Sequence, residues 1–367
     1  MFLNVYQGKR VLVTGNTGFK GSWLTMWLLD LGAIVAGYSI DVPSEPSNFK
    51  VLGLEKRIKQ YWGDIRDRST FEHAVDEFKP DVVFHMAAQA LVRHSYADPV
   101  RTFEVNALGT MNVLETIRNR PWISATVIIT SDKCYRNVEW QWGYRENDAL
   151  GGEDPYSGSK GCAELICYSY IHSYFKLNPK LSKIATARAG NVIGGGDWAQ
   201  DRIVPDCVRA WSKGGAVIIR NPKSTRPWQH VLEPLSGYLW LGSQLISGNN
   251  KANGSSYNFG PDASINHSVE RLISHIGKYW PAARWGLDDN VSKLNPEATL
   301  LKLSCDKALA ELCWQATLQF KETARYTSEW YKSYYESKSA DMYSLTLDQI
   351  NGYCSAAKDR EVVWSLA

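Results

Sequence analysis

Two side chains four residues apart carry the clearest chemistry in this sequence, Tyr156 and Lys160. On a helix this spacing puts them on one face. A Lys ammonium beside a phenol favours phenolate and lowers the Tyr pKa from its ordinary ~10 towards working pH. Such a phenolate can take the proton from an alcohol as hydride leaves for a nicotinamide. The same Lys can hold the nicotinamide ribose. Ser131 stands 25 residues upstream of Tyr156, at the end of an apolar run, where it would complete a Ser–Tyr–Lys site.

A nicotinamide needs a dinucleotide cradle, and residues 15–21 read GNTGFKG. The β-branched run Val11–Thr14 leads into them, and the helical pattern Ser22–Leu31, with Trp23, Trp27, Leu28 and Leu31 on one side, follows. Gly15 permits a tight turn, Gly18 lets backbone approach a pyrophosphate, and Gly21 lets helix and strand pack closely. The helix N-terminus adds unpaired N–H groups and a positive dipole end. An acidic residue that holds the adenosine ribose is expected about 20 residues on. Asp41 fits by count but lies past the second strand, Ala33–Ser39, whose last residue is Ser39. A Ser there would not repel a 2′-phosphate. Asp64, followed by Ile65, is suited to the adenine amino group, or equally to capping a helix.

The supporting elements alternate. Asp81–Ala88, Thr126–Ser131 and Ile184–Arg188 read as strands, and Thr102–Arg118 and Tyr156–Phe175 as helices. Such alternation implies an α/β fold of the Rossmann type: a doubly wound parallel sheet with right-handed crossovers, ligands lying beyond the carboxyl ends of the strands. The texture changes near Gly190, where glycines and then Pro222, Pro227, Pro234 and Pro261 appear. We expect a dinucleotide-binding domain over residues 1–190, a smaller α/β substrate lobe over most of 191–335, with room for segments that return to the first domain, and a tail over 336–367. Thr317–Tyr335 reads as an amphipathic helix rich in Trp and Tyr, and the tail starts polar.

Composition agrees with an ordinary globular protein. The 367 residues are 44% hydrophobic and 22% charged, with net charge +3. That balance gives no support for nucleic acid or membrane as partner. No apolar run approaches the ~18 residues of a membrane span. The seven cysteines, Cys134, Cys162, Cys167, Cys207, Cys305, Cys313 and Cys354, are odd in number, widely spaced and without a CxxC pair. This suggests reduced thiols in the cytoplasm and argues against a disulfide framework or a Cys-based zinc site; no metal is expected.

Taken together, GxxGxxG, HMAAQ (85–89), Asn106, TSDK (130–133) and YSGSK (156–160) resemble the extended short-chain dehydrogenase/reductase superfamily. RAGNVIGGGD (188–197), RPWQHV (226–231), YNFG (257–260) and EWY (329–331) continue the likeness to about residue 335. Within it, sugar-nucleotide 4,6-dehydratases place Thr/Ser, then Asp, then a second acid–base residue at the end of the strand. The dTDP- and GDP-sugar enzymes have Glu third. Here it is Lys133, and SDKCY with RPWQHVLEPL (226–235) resembles the CDP-glucose 4,6-dehydratases of O-antigen lipopolysaccharide synthesis.

That resemblance implies NAD as cofactor, held by Gly15, Thr17, Gly18, Phe19, Lys20, Gly21, Asp41, Asp64, Ile65, Ala87, Ala88, Gln89, Asn106, Tyr156 and Lys160. It implies Ser131, Asp132, Lys133, Tyr156 and Lys160 as the catalytic set, with Asp132 the acid for a departing 6-hydroxyl and Lys133 the base at C5 or a mere partner of Asp132. For the nucleotide sugar, CDP-glucose, it implies contacts from Gln89, Arg93, Ser131, Asn191, Arg202 and Arg226, the last because Arg grips two phosphate oxygens at once. His85 reads as a satisfied core histidine. A homodimer or homotetramer built on Thr102–Arg118 and Tyr156–Phe175 is expected. A 4-epimerase would need Tyr156 and Lys160 but no acid at position 132, and a non-catalytic redox sensor would not need the pair.

Overall fold

In the computed structural model, which describes residues 1–367 except 220, 282, 288–299 and 338, Val11 to Thr14 are wholly buried within strand β1, Arg10–Thr14. Apolar runs of this kind suit a strand covered on both faces. Six more strands join it: β2 (Ile34–Ser39), β3 (Lys59–Trp62), β4 (Val82–His85), β5 (Ala125–Ile129), β6 (Lys183–Ala189) and β7 (Ser256–Phe259). All pairings are parallel, and the order across the sheet is β7-β6-β5-β4-β1-β2-β3. The chain reverses direction across the sheet between β1 and β4, with Val13 opposite Gly37 on one side and Phe84 on the other. In open parallel sheets that switch point is where ligands sit.

Helix α1 (Phe19–Asp30) follows β1 directly, and its first turn lies three residues before the expected start. Helix α2 (Arg68–Phe78) is capped by Asp67, whose carboxylate accepts from Ser69 and Thr70 N–H. The expected helix at 102–118 begins earlier, at Pro99, with Asp98 as cap. It passes through a π turn at Glu104–Leu108 and ends as α3, Gly109–Arg118. Helix α4 is Pro155–Tyr170, and a π turn at Ile171–Phe175 completes the expected span. Asp154 caps α4 and Pro155 occupies its first turn, where a missing N–H costs nothing.

Beyond residue 190 the chain does two things. Helix α5 (Leu232–Ile246) lies against β5 and β6, and β7 extends the main sheet next to β6. The rest builds three two-stranded pieces: Val192–Ile193 with Gln229–His230, Thr225–Arg226 with His267–Ser268, and Val217–Ile219 with Trp285–Leu287. Helix α6 (Phe320–Glu336) opens with a Gln319–Glu322 capping box. The tail, which starts polar, forms an 18-residue helix α7 (Met342–Asp359) that buries Ile350, Tyr353 and Ala357. It returns to the first half, where Trp364 stacks on Phe2 at 4.9 Å and Tyr353 meets the edge of Trp27. Many of the Trp and Tyr residues are thus core, as their large buried area favours.

Candidate active site

The glycine turn is built by exclusion. Gly15 has φ +72°, and a Cβ there would lie 2.8 Å from Ala87 N. A Cβ on Gly21 would lie 2.2 Å from the Gly15 carbonyl oxygen. Glycine is therefore required at both positions, once for the left-handed backbone and once for the close approach of α1 to the turn. Gly18 is the N-cap of α1 with extended backbone. The resulting concavity of backbone atoms at a helix N-terminus fits a pyrophosphate.

Side chains then fasten the turn. Asn16 Oδ1 accepts from Ser39 Oγ at 2.8 Å, and its Nδ2 donates to Gln60 Oε1 at 2.7 Å. Ser39 is buried, so its hydroxyl is spent on the turn. Thr17 Oγ1 donates to the backbone oxygen of Asp41 at 2.7 Å, and the Asp41 side chain is exposed. Asp64 is not a helix cap, since Asp67 fills that place. Its carboxylate accepts from Arg66 Nε at 2.9 Å and Nη2 at 2.7 Å. Partial burial opposes ionisation of Asp64, but the Arg66 bonds outweigh it and hold the carboxyl below its usual range. Ile65 is buried beneath α3, where a Cβ on Gly109 would meet it.

Across the switch point, Thr14 Oγ1 accepts from the N–H groups of Met86 and Ala87, both at 3.1 Å. Ala87 and Ala88 are half-buried beside the turn. Asn106 accepts from Gln89 N at 2.8 Å and donates to Gln89 O at 3.0 Å and to Ser159 Oγ at 2.8 Å. Asn106 thereby clamps the loop after β4 to α4. His85 is a buried core residue between Thr14 and Thr110 hydroxyls, at 2.8 and 3.1 Å. Burial pushes it down to about 3, so it is neutral.

Ser131, Asp132 and Lys133 follow β5 on a short 3-10 turn, Asp132–Cys134. Ser131 Oγ donates to Asp132 Oδ1 at 3.0 Å and accepts from Lys133 N at 3.2 Å. Asp132 is buried and Lys133 half-buried, with Nζ 3.3 Å from Asp132 Oδ1. The pairing of Lys133 with Asp132 is thus present. Tyr156 and Lys160, both buried, face this turn from α4. Here one expectation is corrected. Burial pushes the Tyr156 phenol up to about 12; the Ser131 hydroxyl draws it down and Asp132 pushes it up further. Desolvation of a phenolate therefore outweighs any lowering by Lys160. Burial also lowers Lys160 to about 8, with Glu164 opposing the fall.

Lys20 is half-buried and turns away from the glycine backbone. Its Nζ donates to the Tyr238 hydroxyl at 2.8 Å. Burial, then the charges of Arg202 and Lys160, lower it to about 7. Arg202 donates to Asp197 Oδ2 at 2.8 Å and lies near Tyr156. Arg93 pairs with Asp201 at 2.6 Å, exposed to solvent. Asn191 is half-buried just past β6, and Arg226 is half-buried with Nη1 donating to Thr225 O at 2.9 Å. Reasoning from sequence missed Tyr238, Asp197 and Ser159. It also missed Glu164, which the i, i+4 series 156, 160, 164 signals.

Residues 12–327 match the family described as GDP-mannose 4,6 dehydratase. Over 360 residues the chain is 47% identical to CDP-glucose 4,6-dehydratase of Salmonella typhimurium, covering 96% of this chain and 98% of that protein. The chain belongs to the sugar-nucleotide 4,6-dehydratase family. This family sits within the extended short-chain dehydrogenase/reductase superfamily, and the order of the seven strands is that of a doubly wound Rossmann-type sheet. Among solved structures, the Thermus thermophilus UDP-glucose 4-epimerase complex with NAD is similar with a TM-score of 0.73 and 26% identity, over 90% of this chain and 99% of that one. The Bacillus anthracis dTDP-glucose 4,6-dehydratase shares the fold, with a TM-score of 0.73 and 19% identity over 90% of this chain and 98% of that one. Among the described residues, no helix is long and apolar enough to cross a membrane.

Proposed function

We propose that this sugar-nucleotide 4,6-dehydratase acts on CDP-glucose with NAD+, releasing water and CDP-4-keto-6-deoxyglucose. The observation that carries the reading is the Asp132–Lys133 pair beside Ser131 and Tyr156 at the end of β5. Identity of 47% to a CDP-glucose 4,6-dehydratase supports the nucleotide. The glycine cradle and the N-terminus of α1 fit the pyrophosphate of NAD, with Lys160 for the nicotinamide ribose and Asp64 for the adenine. When bound, NAD+ supplies a hydride acceptor that is regenerated within the cycle.

The chain's own residues handle protons. Tyr156, as the phenolate, takes the proton of the sugar 4-hydroxyl, and the Ser131 hydroxyl with the charges of Lys160 and Arg202 stabilises that phenolate before the transfer. A 4-keto group makes the C5 proton acidic, and Lys133 removes it after passing its own proton to Asp132, 3.3 Å away. Asp132, buried and hydrogen-bonded, delivers a proton to the departing 6-hydroxyl. Arg226, Asn191 and Arg202 are proposed to hold the diphosphate, and Arg93 to face the sugar; the Gln89 side chain, expected there too, is instead spent on Leu91 O and Thr102 Oγ1, its Nε2 donating to both at 3.0 Å. All seven cysteines are free thiols, which supports a cytoplasmic setting. Exposed Phe103, Leu108, Leu165 and Tyr168 on the 99–118 segment and α4 support a homodimer through those helices.

CDP-glucose carrying deuterium at C4 tests the reading. The expected product has lost water and carries the label at C6. Product that keeps a 6-hydroxyl, as an epimerase would make, overturns it. A parallel panel of CDP-, dTDP-, GDP- and UDP-glucose is expected to favour the CDP sugar.

A further inference from the structure

Tyr156, Lys160 and Glu164 follow one another at i, i+4 and i+8 on α4, along one face. The proposed mechanism uses the first two and leaves Glu164 without a task. Its side chain is 2% exposed. Four donors converge on its carboxylate. Arg188 Nε reaches Oε1 at 2.8 Å, Arg188 Nη2 reaches Oε2 at 2.7 Å, Thr186 Oγ1 reaches Oε2 at 3.0 Å, and Thr130 Oγ1 donates to Oε1. An ionised carboxylate only accepts, so this arrangement selects the charged form. Arg188 is fixed in turn by donating to the Tyr135 hydroxyl at 2.7 Å, and Tyr135 donates to Asn258 Oδ1 at 2.8 Å.

A buried ion pair is a weak device for stability, because desolvation offsets much of its attraction. What an ionised group does here that a neutral tie cannot is impose a field one helical turn away. The groups facing Lys160 are Glu164 and Cys167 on α4, Cys134 on the turn after β5, Lys20 on α1 and His85 on β4. Burial pushes both thiols up, so they stay neutral, and His85 is neutral as well. Lys20 when protonated, and Arg188 on the far side of the Glu164 carboxylate, carry the same sign as Lys160. Glu164 supplies the opposing negative charge.

We propose that Glu164, held ionised by Arg188, Thr130 and Thr186, is a positioning residue that keeps Lys160 protonated so that its charge acts on Tyr156 during proton transfer. The proposal rests on the roles of Tyr156 and Lys160 given above. Removing a nearby negative charge makes an ammonium easier to deprotonate, so activity that needs it fails at lower pH.

The test is the pH profile of kcat with the full chain and saturating NAD+ and CDP-glucose. Glu164→Gln is expected to move the alkaline limb down by about 1–2 pH units, and to cut kcat at pH 8 by at least about tenfold relative to its own plateau. Glu164→Asp, which retains the charge, is expected to bring the limb back towards wild type. Glu164→Gln with Arg188→Gln leaves no unpaired buried charge and covers the case in which the single variant does not fold; its limb also moves down, by less. NAD+ titration verifies a folded cofactor site in each. A folded variant without the carboxylate whose limb coincides with wild type overturns the proposal, provided Tyr156→Phe abolishes turnover. Turnover in Tyr156→Phe would instead sink the acid–base reading itself, and this proposal with it.

Discussion

Two glycines in the turn after β1 make room for different things, and substituting them separates protein packing from cofactor binding. In Gly21→Ala the new methyl would lie 2.2 Å from Gly15 O and 2.7 Å from Asn16 Cα, both backbone atoms. That is about 1 Å inside ordinary contact, so α1 must move away from the turn. Overpacking of this kind costs about 3 kcal/mol, a fall in Tm of roughly 4 °C for a chain of 367 residues. In Gly18→Ala the methyl would be 3.3 Å from Gly15 O, which a shift of a few tenths of an ångström relieves. Backbone φ at Gly18 is −71°, open to alanine. The cost to the fold is below about 1 kcal/mol, but the methyl stands where backbone must approach the pyrophosphate. NAD+ affinity is expected to fall at least about tenfold, or about 1.4 kcal/mol. Thermal melts and calorimetric NAD+ titration of both variants check this. An unshifted melt for Gly21→Ala refutes the packing argument. Wild-type NAD+ affinity in Gly18→Ala refutes the placement of the phosphates.

Other consequences are equally direct. Asp132→Asn is expected to oxidise C4 and then stall, so reduced cofactor builds up in its absorbance band; normal turnover would remove Asp132 as the acid. Glu233 is buried, accepting from Thr317 N at 2.9 Å, Leu318 N at 2.5 Å and the Tyr353 hydroxyl at 2.8 Å. Burial raises it from 4.5 to about 7 against those bonds. A raised carboxyl contributes stability that is present below about 4.5 and lost as pH rises through about 7, at most about 3 kcal/mol. Denaturant melts from pH 5 to 8.5 should show that slope, and Glu233→Gln should flatten it; an equal slope in both rejects the assignment. Leu165→Glu with Tyr168→Glu is expected to halve the mass seen by light scattering while NAD+ affinity is retained, since both side chains are more than half exposed in the single chain.

Whatever depends on spacing along one segment could be read from the residues alone. The GNTGFKG turn, the i, i+4 pair of Tyr156 and Lys160, the Ser131–Lys133 run and the alternation of strand and helix are local patterns, and local geometry makes them legible. Boundaries moved by a few residues because caps such as Asp98 and Asp154 set them. Which distant groups meet these patterns follows from packing between elements far apart in the chain. Ser39 looked like the residue facing a ribose, but its hydroxyl bonds Asn16, because β2 brings it against the turn. Lys20 counts as part of the glycine motif, yet Tyr238, 218 residues on, holds its ammonium within the field of Arg202, Lys160 and Asp132. Glu164 meets Arg188 only because β6 runs beside β5 under α4. The tail starts polar but packs as a helix because Trp27 and Phe2 leave aromatic surface for Tyr353 and Trp364 to cover. Periodicity tells which face of an element is buried, and packing alone tells against what. For the Tyr156–Lys160 pair that difference governs the chemistry, since burial sets its proton affinities more strongly than the spacing that first revealed it.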